Sequence, residues 1–132
     1  MSTPKITVID YGMGNTWSVM SAFKYLGAKV ELVADPEEVL KSSALILPGV
    51  GSFRNGMESL RDRNIDEAII DAVANKGTKI LGICLGMQLL GSHSTEGGET
   101  DGLGLLPNQV ERFTSTEVGG RKIPHVGFNS LH

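Results

Sequence analysis

The stretch TKILGICLGMQLL, residues 78–90, decides the fold and contains the only cysteine of this 132-residue chain. Its apolar first half is typical of a buried strand, and the residues after Cys84 favour a helix. Gly82 and Gly86 flank the cysteine in the pattern G-x-C-x-G. A sharp strand-to-helix turn needs glycine on both sides, because Cβ atoms there would clash with the neighbouring strand and helix. The stretch therefore predicts a nucleophile elbow with Cys84 at its tip.

A buried structural cysteine is the alternative, since cysteine packs as a small hydrophobic residue. A lone cysteine can form neither an internal disulfide nor, by itself, a zinc site. In an elbow, the first N–H groups of the following helix face the sulfur and favour the nucleophilic thiolate. The N–H of Leu85 would also be placed to donate to an oxyanion. The strand, the helix and both glycines together favour the nucleophile.

The rest of the chain up to residue 90 alternates between strand and helix patterns. Apolar runs predict strands at 5–10, 29–34, 44–49 and 79–83, and helical spacing predicts helices at 16–26, 35–43 and 64–77. This alternation predicts an α/β fold, a mostly parallel sheet with helices on both faces joined by right-handed crossovers. Ligands bind at the carboxyl ends of the strands in such folds.

Residue types at the helix ends support these boundaries. Asp35 suits an N-cap, Pro36 the first helical position, and Gly77 a C-terminal stop. The helix at 16–26 has one apolar side, formed by Trp17, Met20, Phe23 and either Tyr25 or Leu26. We therefore expect that side to pack on the sheet.

The sequence changes character after residue 90. Residues 91–109 are rich in Gly, Ser and Thr, which indicates a long functional or mobile loop. Two further strands are predicted within 109–115 and 122–130, and the sequence ends directly afterwards. We interpret residues 1–132 as a single domain that is incomplete at its C-terminal end.

Composition excludes several classes of function. The formal net charge is −3 and the basic residues are scattered, which disfavours a nucleic-acid partner. No apolar run approaches the roughly 20 residues of a membrane span, and the N-terminus has no signal-peptide pattern. We therefore expect a cytoplasmic protein that needs neither a metal nor a cofactor.

Two further glycine-containing loops follow predicted strands. LPGVGSF, residues 47–53, would lie on the same edge of the sheet as Cys84, and its glycines would allow exposed N–H groups, as an oxyanion hole requires. Taken alone it could be an ordinary strand-to-helix turn. DYGMGN, residues 10–15, resembles the start of a dinucleotide fingerprint, but bulky Trp17 occupies the third glycine position. We interpret Asn15 as a helix N-cap that could also serve on the surface.

Together these motifs resemble the class I glutamine amidotransferases, and within them the glutaminase subunits of imidazole glycerol phosphate synthases of histidine biosynthesis. The similar stretches are GICLGMQLL, DYGMGN, LPGVGSF and PHVGFN (124–129), the last with Phe128 where those subunits commonly have Trp. The resemblance extends through the whole chain and implies a flavodoxin-like fold, of which residues 1–132 would form the N-terminal two-thirds. It also implies hydrolysis of glutamine to glutamate, with ammonia passed to a TIM-barrel cyclase.

The resemblance assigns roles to individual residues. Cys84 would attack the glutamine amide, and an oxyanion would be held by the N–H of Leu85 and one from Val50 or Gly51. Gln88 and Glu96 would hold the amino acid end of the substrate. Asn15 and Phe128 are the candidates for the partner interface.

The sequence departs from the family in one respect, because it lacks the His-x-Glu pair that completes the family's triad. His93, His125 and His132 are poor substitutes, and we expect this chain to be inactive by itself. The alternatives are a non-catalytic fragment or partner-binding module, another elbow-cysteine hydrolase, and a related amidotransferase for surface-sugar amidation.

Overall fold

The computed structural model describes residues 5–95 and 98–111. Its main sheet has four parallel strands in the order β2-β1-β3-β4: β1 (Ile6–Ile9), β2 (Val30–Val33), β3 (Ala44–Leu47) and β4 (Lys79–Gly82). Ala44 of the central strand is in register with Ile6 on one side and Lys79 on the other. All four predicted strands are confirmed, and their carboxyl ends lie along one edge of the sheet.

Helices cover both faces of this sheet, which confirms the predicted fold class. They are α1 (Thr16–Tyr25), α2 (Pro36–Leu40), α3 (Phe53–Asp62), α4 (Ile65–Lys76) and α5 (Leu85–Leu89). Helix α1 packs on β1 and β2, whereas α4 packs on α2 and α3, and α3 also packs on α5. Among the described residues, the main core cluster contains residues of α2 to α5 and none of α1. Right-handed crossovers thus leave α1 as the one helix of the described residues on the opposite face.

The helix ends follow the chemistry that the sequence indicates. The side chain of Asn15 caps α1 by accepting from the Ser18 N–H at 3.1 Å, and that of Asp35 caps α2 by accepting from the Glu37 N–H at 2.8 Å. Gly77 ends α4 in the left-handed conformation, with φ +71°. These predicted caps and the predicted stop are confirmed.

The predicted apolar side of α1 is only partly correct. Met20 and Phe23 are half-buried, but Trp17 is 76% exposed, Tyr25 is 91% exposed and Leu26 is also exposed. Within the described residues α1 has the sheet beneath it and no helix packed closely beside it. An apolar hollow of about 220 Å³ therefore remains between Phe23 and strands β3 and β4. Helical spacing alone could not reveal how little of α1 is covered.

Helix α3 was not predicted, although its sequence carries a recognisable signal. Its buried residues are Phe53, Gly56, Met57 and Leu60, a spacing typical of an amphipathic helix. Ser52 caps it by accepting from the Asn55 N–H at 3.2 Å. The glycine within this helix and its many polar residues hid the pattern.

The prediction of a long loop at 91–109 is only partly correct. A second sheet contains β5 (His93–Ser94), β6 (Thr100–Asp101) and β7 (Gln109–Val110), in the order β6-β5-β7. Backbone hydrogen bonds tie this segment to α5, including one from the Leu103 N–H to the Leu89 carbonyl at 2.9 Å. The strand predicted at 109–115 begins as β7, but its remainder and the strand predicted at 122–130 lie outside the described residues.

Candidate active site

Cys84 lies at the junction of β4 and α5, at the carboxyl edge of the main sheet. It is exposed, and its backbone has φ +54° and ψ −122°. In the described part of the chain, only Cys84 and Asn64 combine a positive φ with a side chain other than hydrogen. Residues with a Cβ atom rarely adopt the Cys84 conformation, and such strain is concentrated at functional sites. The elbow geometry agrees with the sequence prediction.

The two flanking glycines are required by close packing. A Cβ atom at Gly82 would lie 2.6 Å from Cα of Met87, and one at Gly86 would overlap the carbonyl oxygen of Leu47. The turn thus presses the start of α5 against β4 and against the end of β3. The steric reason given for these glycines from sequence is confirmed.

The loop after β3 lies directly against the Cys84 turn, as expected for neighbouring parallel strands. The Ile83 N–H donates to the Leu47 carbonyl at 2.9 Å, and the Leu85 N–H donates to the Gly49 carbonyl at 3.2 Å. The same loop contains Val50, which is 60% exposed, and Gly51, whose φ is +113°. The candidate oxyanion donors are therefore neighbours, but the N–H of Leu85 is engaged by a carbonyl of the loop.

Gln88 lies one helical turn beyond the cysteine. The Met87 N–H and the Gln88 N–H both donate to the Cys84 carbonyl, at 3.0 and 3.4 Å. Gln88 is half-buried, which leaves part of it accessible at this edge. Asn15 is exposed and follows β1 at the same edge. Glu96 and Phe128, the other residues predicted for substrate and partner, lie outside the described residues.

Tyr11 belongs to the site although sequence analysis did not single it out. Its side chain is buried beneath the loop after β3, and its hydroxyl donates to the Pro48 carbonyl at 2.6 Å. Burial raises the pKa of the Tyr11 phenol above its usual range. The available signal was an aromatic residue immediately after β1, within DYGMGN, at the edge where the other loops meet.

Comparison with known proteins identifies the family. The family model described as glutamine amidotransferase class-I matches residues 7–131. The chain belongs to this family. Two relatives named imidazole glycerol phosphate synthase subunit HisH 1, from Parasynechococcus marenigrum (strain WH8102) and Legionella pneumophila (strain Lens), are each 47% identical over 128 residues. A subunit HisH from Geobacillus thermodenitrificans (strain NG80-2) is 50% identical over 128 residues.

This amidotransferase chain spans about 60% of the length of those relatives, while 96 to 97% of the chain itself is aligned. A crystal structure of a glutamine amidotransferase aligns with a TM-score of 0.68 at 25% identity, covering 80% of this chain and 56% of that one. A putative peptidase E protein from Listeria monocytogenes has the same fold, with a TM-score of 0.62 at 17% identity over 80% of this chain and 64% of that one.

The described part of this amidotransferase contains one histidine. His93 lies on β5, with its Nδ1 3.7 Å from Oδ1 of Asp101 on the paired strand β6. His125 and His132 fall outside the described residues. Within residues 5–95 and 98–111, no group of three or more His, Cys, Asp or Glu side chains could hold a metal ion. No helix in that same part has the length and apolar character of a membrane span.

Proposed function

We propose that this chain is the N-terminal part of the glutaminase subunit of an imidazole glycerol phosphate synthase, with glutamine as substrate and ammonia delivered to a partner cyclase. The observation that carries the proposal is the exposed, strained Cys84 beside the glycine loop after β3. The identity of 47 to 50% to relatives named HisH supports the pathway. No cofactor is invoked, because attack of a thiolate on an amide needs none.

Cys84 acts in this proposal as the nucleophile. Its thiolate forms a bond to the side-chain amide carbon of glutamine, and the C–N bond breaks through a tetrahedral intermediate. The leaving nitrogen takes up the proton that the Cys84 thiol released on ionising, so ammonia leaves and a γ-glutamyl thioester remains on the sulfur. Water then cleaves the thioester to glutamate and restores the thiolate. Gln88 and Glu96 are the proposed contacts to the amino acid end of the substrate.

The tetrahedral intermediate needs hydrogen-bond donors aimed at its oxygen. The Leu85 N–H, one proposed donor, contacts the Gly49 carbonyl at 3.2 Å, so that carbonyl must move before Leu85 can serve. Rotation of the peptide between Gly49 and Val50 would remove the carbonyl and turn the Val50 N–H towards the vacated side. The reactive state in this proposal therefore requires a local rearrangement of the loop.

A general base is the missing element of the proposed reaction, since the sequence contains no His-x-Glu pair. Loss of triad members in other enzymes lowers turnover by several powers of ten. We therefore expect the 132-residue chain to release glutamate at a rate far below that of a complete glutaminase, even with saturating cyclase. Turnover near that of a complete enzyme, lost on His125→Ala, would show that the chain supplies its own base.

A second candidate function is a partner-binding module without turnover, which the exposed Trp17 at the carboxyl edge of the sheet supports. A related amidotransferase for surface-sugar amidation would share the motifs, and it differs only in the acceptor of the ammonia. The nitrogen source separates the glutaminase from the binding module, and the acceptor separates the two amidotransferases. A glutaminase supports imidazole glycerol phosphate formation with glutamine, whereas a binding module leaves the cyclase dependent on added ammonium.

The experiment on the nucleophile uses a complete glutaminase that contains this chain, in complex with the cyclase, and compares Cys84→Ala with the unaltered sequence. We expect Cys84→Ala to abolish glutamine-dependent synthesis and to leave ammonium-dependent synthesis unchanged, because only the hydrolytic step uses the thiol. Tyr25→Phe, at an exposed position at the far end of α1, is the control and should retain both activities. Glutamine hydrolysis that persists in Cys84→Ala would remove this residue from the mechanism.

The proposed partner surface is the carboxyl edge of the main sheet. Asn15, Trp17, Val50 and Met87 are all exposed there, and Trp17 is 76% exposed. Exposed aromatic and apolar side chains of this kind anchor protein interfaces. Phe128, from PHVGFN, is the remaining candidate for this surface.

Trp17→Ala tests the partner surface more cleanly than a change at Asn15, which would also remove the cap of α1. We expect Trp17→Ala to weaken binding to the cyclase subunit by about tenfold or more, without lowering the melting temperature. Tyr25→Ala is the matched control, because Tyr25 is an exposed aromatic residue at the opposite end of the same helix. Equal effects of both substitutions would contradict the assignment of the surface.

A further inference from the structure

Three successive carbonyl groups, at the end of β3 and in the loop that follows it, are each held by a hydrogen bond. The Leu47 carbonyl accepts from the Ile83 N–H at 2.9 Å, and the Gly49 carbonyl accepts from the Leu85 N–H at 3.2 Å. Between them, the Pro48 carbonyl accepts from the Tyr11 hydroxyl at 2.6 Å. Of these three hydrogen-bond donors, only the Tyr11 hydroxyl belongs to a side chain, and it binds the residue immediately before Gly49.

Tyr11 is itself held firmly in place. Its side chain is 1% exposed, and the preceding residue, Asp10, donates its N–H to the Val33 carbonyl at 2.8 Å. On the other side, the Ser59 hydroxyl donates to the Tyr11 carbonyl, and Nη1 of Arg63 donates to Ser59 Oγ at 2.6 Å. These contacts connect Tyr11 to β2 and α3, so its hydroxyl is a fixed point under the loop.

Gly49 lies between this hydroxyl and the elbow. A Cβ atom on Gly49 would overlap the Tyr11 hydroxyl and would lie 3.1 Å from Cβ of Leu85. The backbone of Gly49 thus occupies a narrow gap with Tyr11 on one side and the start of α5 on the other. Any movement of the loop at Gly49 is limited by both neighbours.

We propose that Tyr11 is a positioning residue for the oxyanion loop: its hydroxyl anchors the loop at Pro48, so that only the peptide between Gly49 and Val50 reorients. The inference rests on the proposed function, since it assigns Tyr11 a role in forming the oxyanion hole. Peptide planarity links the orientation of each carbonyl to that of the next N–H. Holding the Pro48 carbonyl therefore fixes the Gly49 N–H, while the longer bond to Leu85 leaves the Gly49 carbonyl and the Val50 N–H able to turn.

Amide hydrogen exchange in the 132-residue chain tests the anchoring directly. Tyr11→Phe keeps the ring and removes the hydroxyl. We expect the exchange rate of the Leu85 N–H to rise about tenfold more in this variant than the exchange rates of neighbouring amides, which report the change in overall stability. Tyr25→Phe, at an exposed position, is the matched control and should alter nothing. Val39→Ala, at a buried position in α2, lowers global stability without touching the loop. A Leu85 exchange rate that is unchanged in Tyr11→Phe, or changed equally in Val39→Ala, overturns the proposal.

A second measurement reports on the oxyanion hole and on the proposed function separately. The probe is 5-oxopentanoate, an aldehyde analogue of glutamine without the amino group. The Cys84 thiol adds across its C=O bond, forming an S–C bond and placing the former carbonyl oxygen where the oxyanion would lie. Binding is measured as protection of Cys84 from iodoacetamide. We expect Tyr11→Phe to weaken this protection by about tenfold, with the iodoacetamide rate of the unprotected protein unchanged.

The outcomes of this measurement are distinguishable. If the unaltered chain is not protected at all, the proposed glutaminase site is wrong, whatever the exchange data show about Tyr11. If the unaltered chain is protected and Tyr11→Phe is protected equally well, the site stands and the positioning role of Tyr11 is overturned. If Tyr11→Phe loses protection while Tyr25→Phe and Val39→Ala keep it, the result supports both the proposed glutaminase site and the positioning role of Tyr11.

Discussion

Replacing Cys84 by glycine should stabilise the protein. The Cys84 backbone has φ +54° and ψ −122°, and a residue with a Cβ atom in such a conformation costs about 1–3 kcal/mol. Glycine removes this strain but loses about 0.5–1 kcal/mol through the greater freedom of the unfolded chain. The side chain is exposed, so little burial is lost. The net gain in the free energy of unfolding should be about 0–2.5 kcal/mol, with a central value of about 1 kcal/mol, which corresponds to roughly 4 °C in the melting temperature.

Urea unfolding followed by circular dichroism measures this difference, with two controls. Cys84→Ala removes the thiol but keeps the Cβ atom, and should show no comparable gain. Asn64→Gly changes the other non-glycine residue of the described ranges that has a positive φ, at φ 58° and ψ 22°. Asparagine is well tolerated there, so stability should change by less than about 0.5 kcal/mol. If Cys84→Gly is no more stable than Cys84→Ala, the elbow is not strained and the reasoning fails.

Three further predictions concern packing and pH. Gly86→Ala places a Cβ atom on the Leu47 carbonyl oxygen and should lower the free energy of unfolding, measured with urea, by about 3 kcal/mol or more. Gly27→Ala, with open space around it, should lower it by only about 1 kcal/mol. Similar losses in the two variants would contradict the close approach at the elbow. Nζ of Lys5 donates to Glu38 at 2.5 Å, and this hydrogen bond lowers the pKa of Glu38 below 4.5. The unaltered chain should therefore be more stable than Glu38→Gln above pH 4.5, and this difference should shrink as the pH falls below 4.5. A difference in stability that does not depend on pH would exclude the Lys5–Glu38 pair as its source. Burial raises the pKa of Tyr11 above 10.0. The contribution of Tyr11 to the free energy of unfolding is therefore fully present below pH 10 and should fall by about 1.4 kcal/mol per pH unit above it. Alkaline unfolding curves that run parallel for Tyr11→Phe and the unaltered chain would refute this.

The elements that could be predicted are those with a local cause. Caps such as Asn15 and Asp35, and the stop at Gly77, depend on hydrogen bonds or backbone conformations within a few residues. The apolar runs that became β1 and β3 belong to central strands buried on both faces of a parallel sheet, whereas the edge strands β2 and β4 are partly exposed. The errors arose where distant contacts decide. The second sheet at 93–110 consists of two-residue strands that exist only because they pair with one another and bond to α5.

The amino-acid sequence by itself determined the elbow at Cys84, because glycines on both sides of the cysteine mark a sharp strand-to-helix turn; Gly82 is required by a contact within that unit, whereas Gly86 is required by the end of β3. It also determined the parallel sheet, and hence that the loops carrying Val50 and Cys84 meet at one edge. Only the tertiary structure decided how those loops hold each other. The bond from Tyr11 to Pro48 and the bond from Leu85 to Gly49 join residues 37 and 36 positions apart. Such contacts depend on the register of β1, β3 and β4, and no local pattern in the sequence encodes that register.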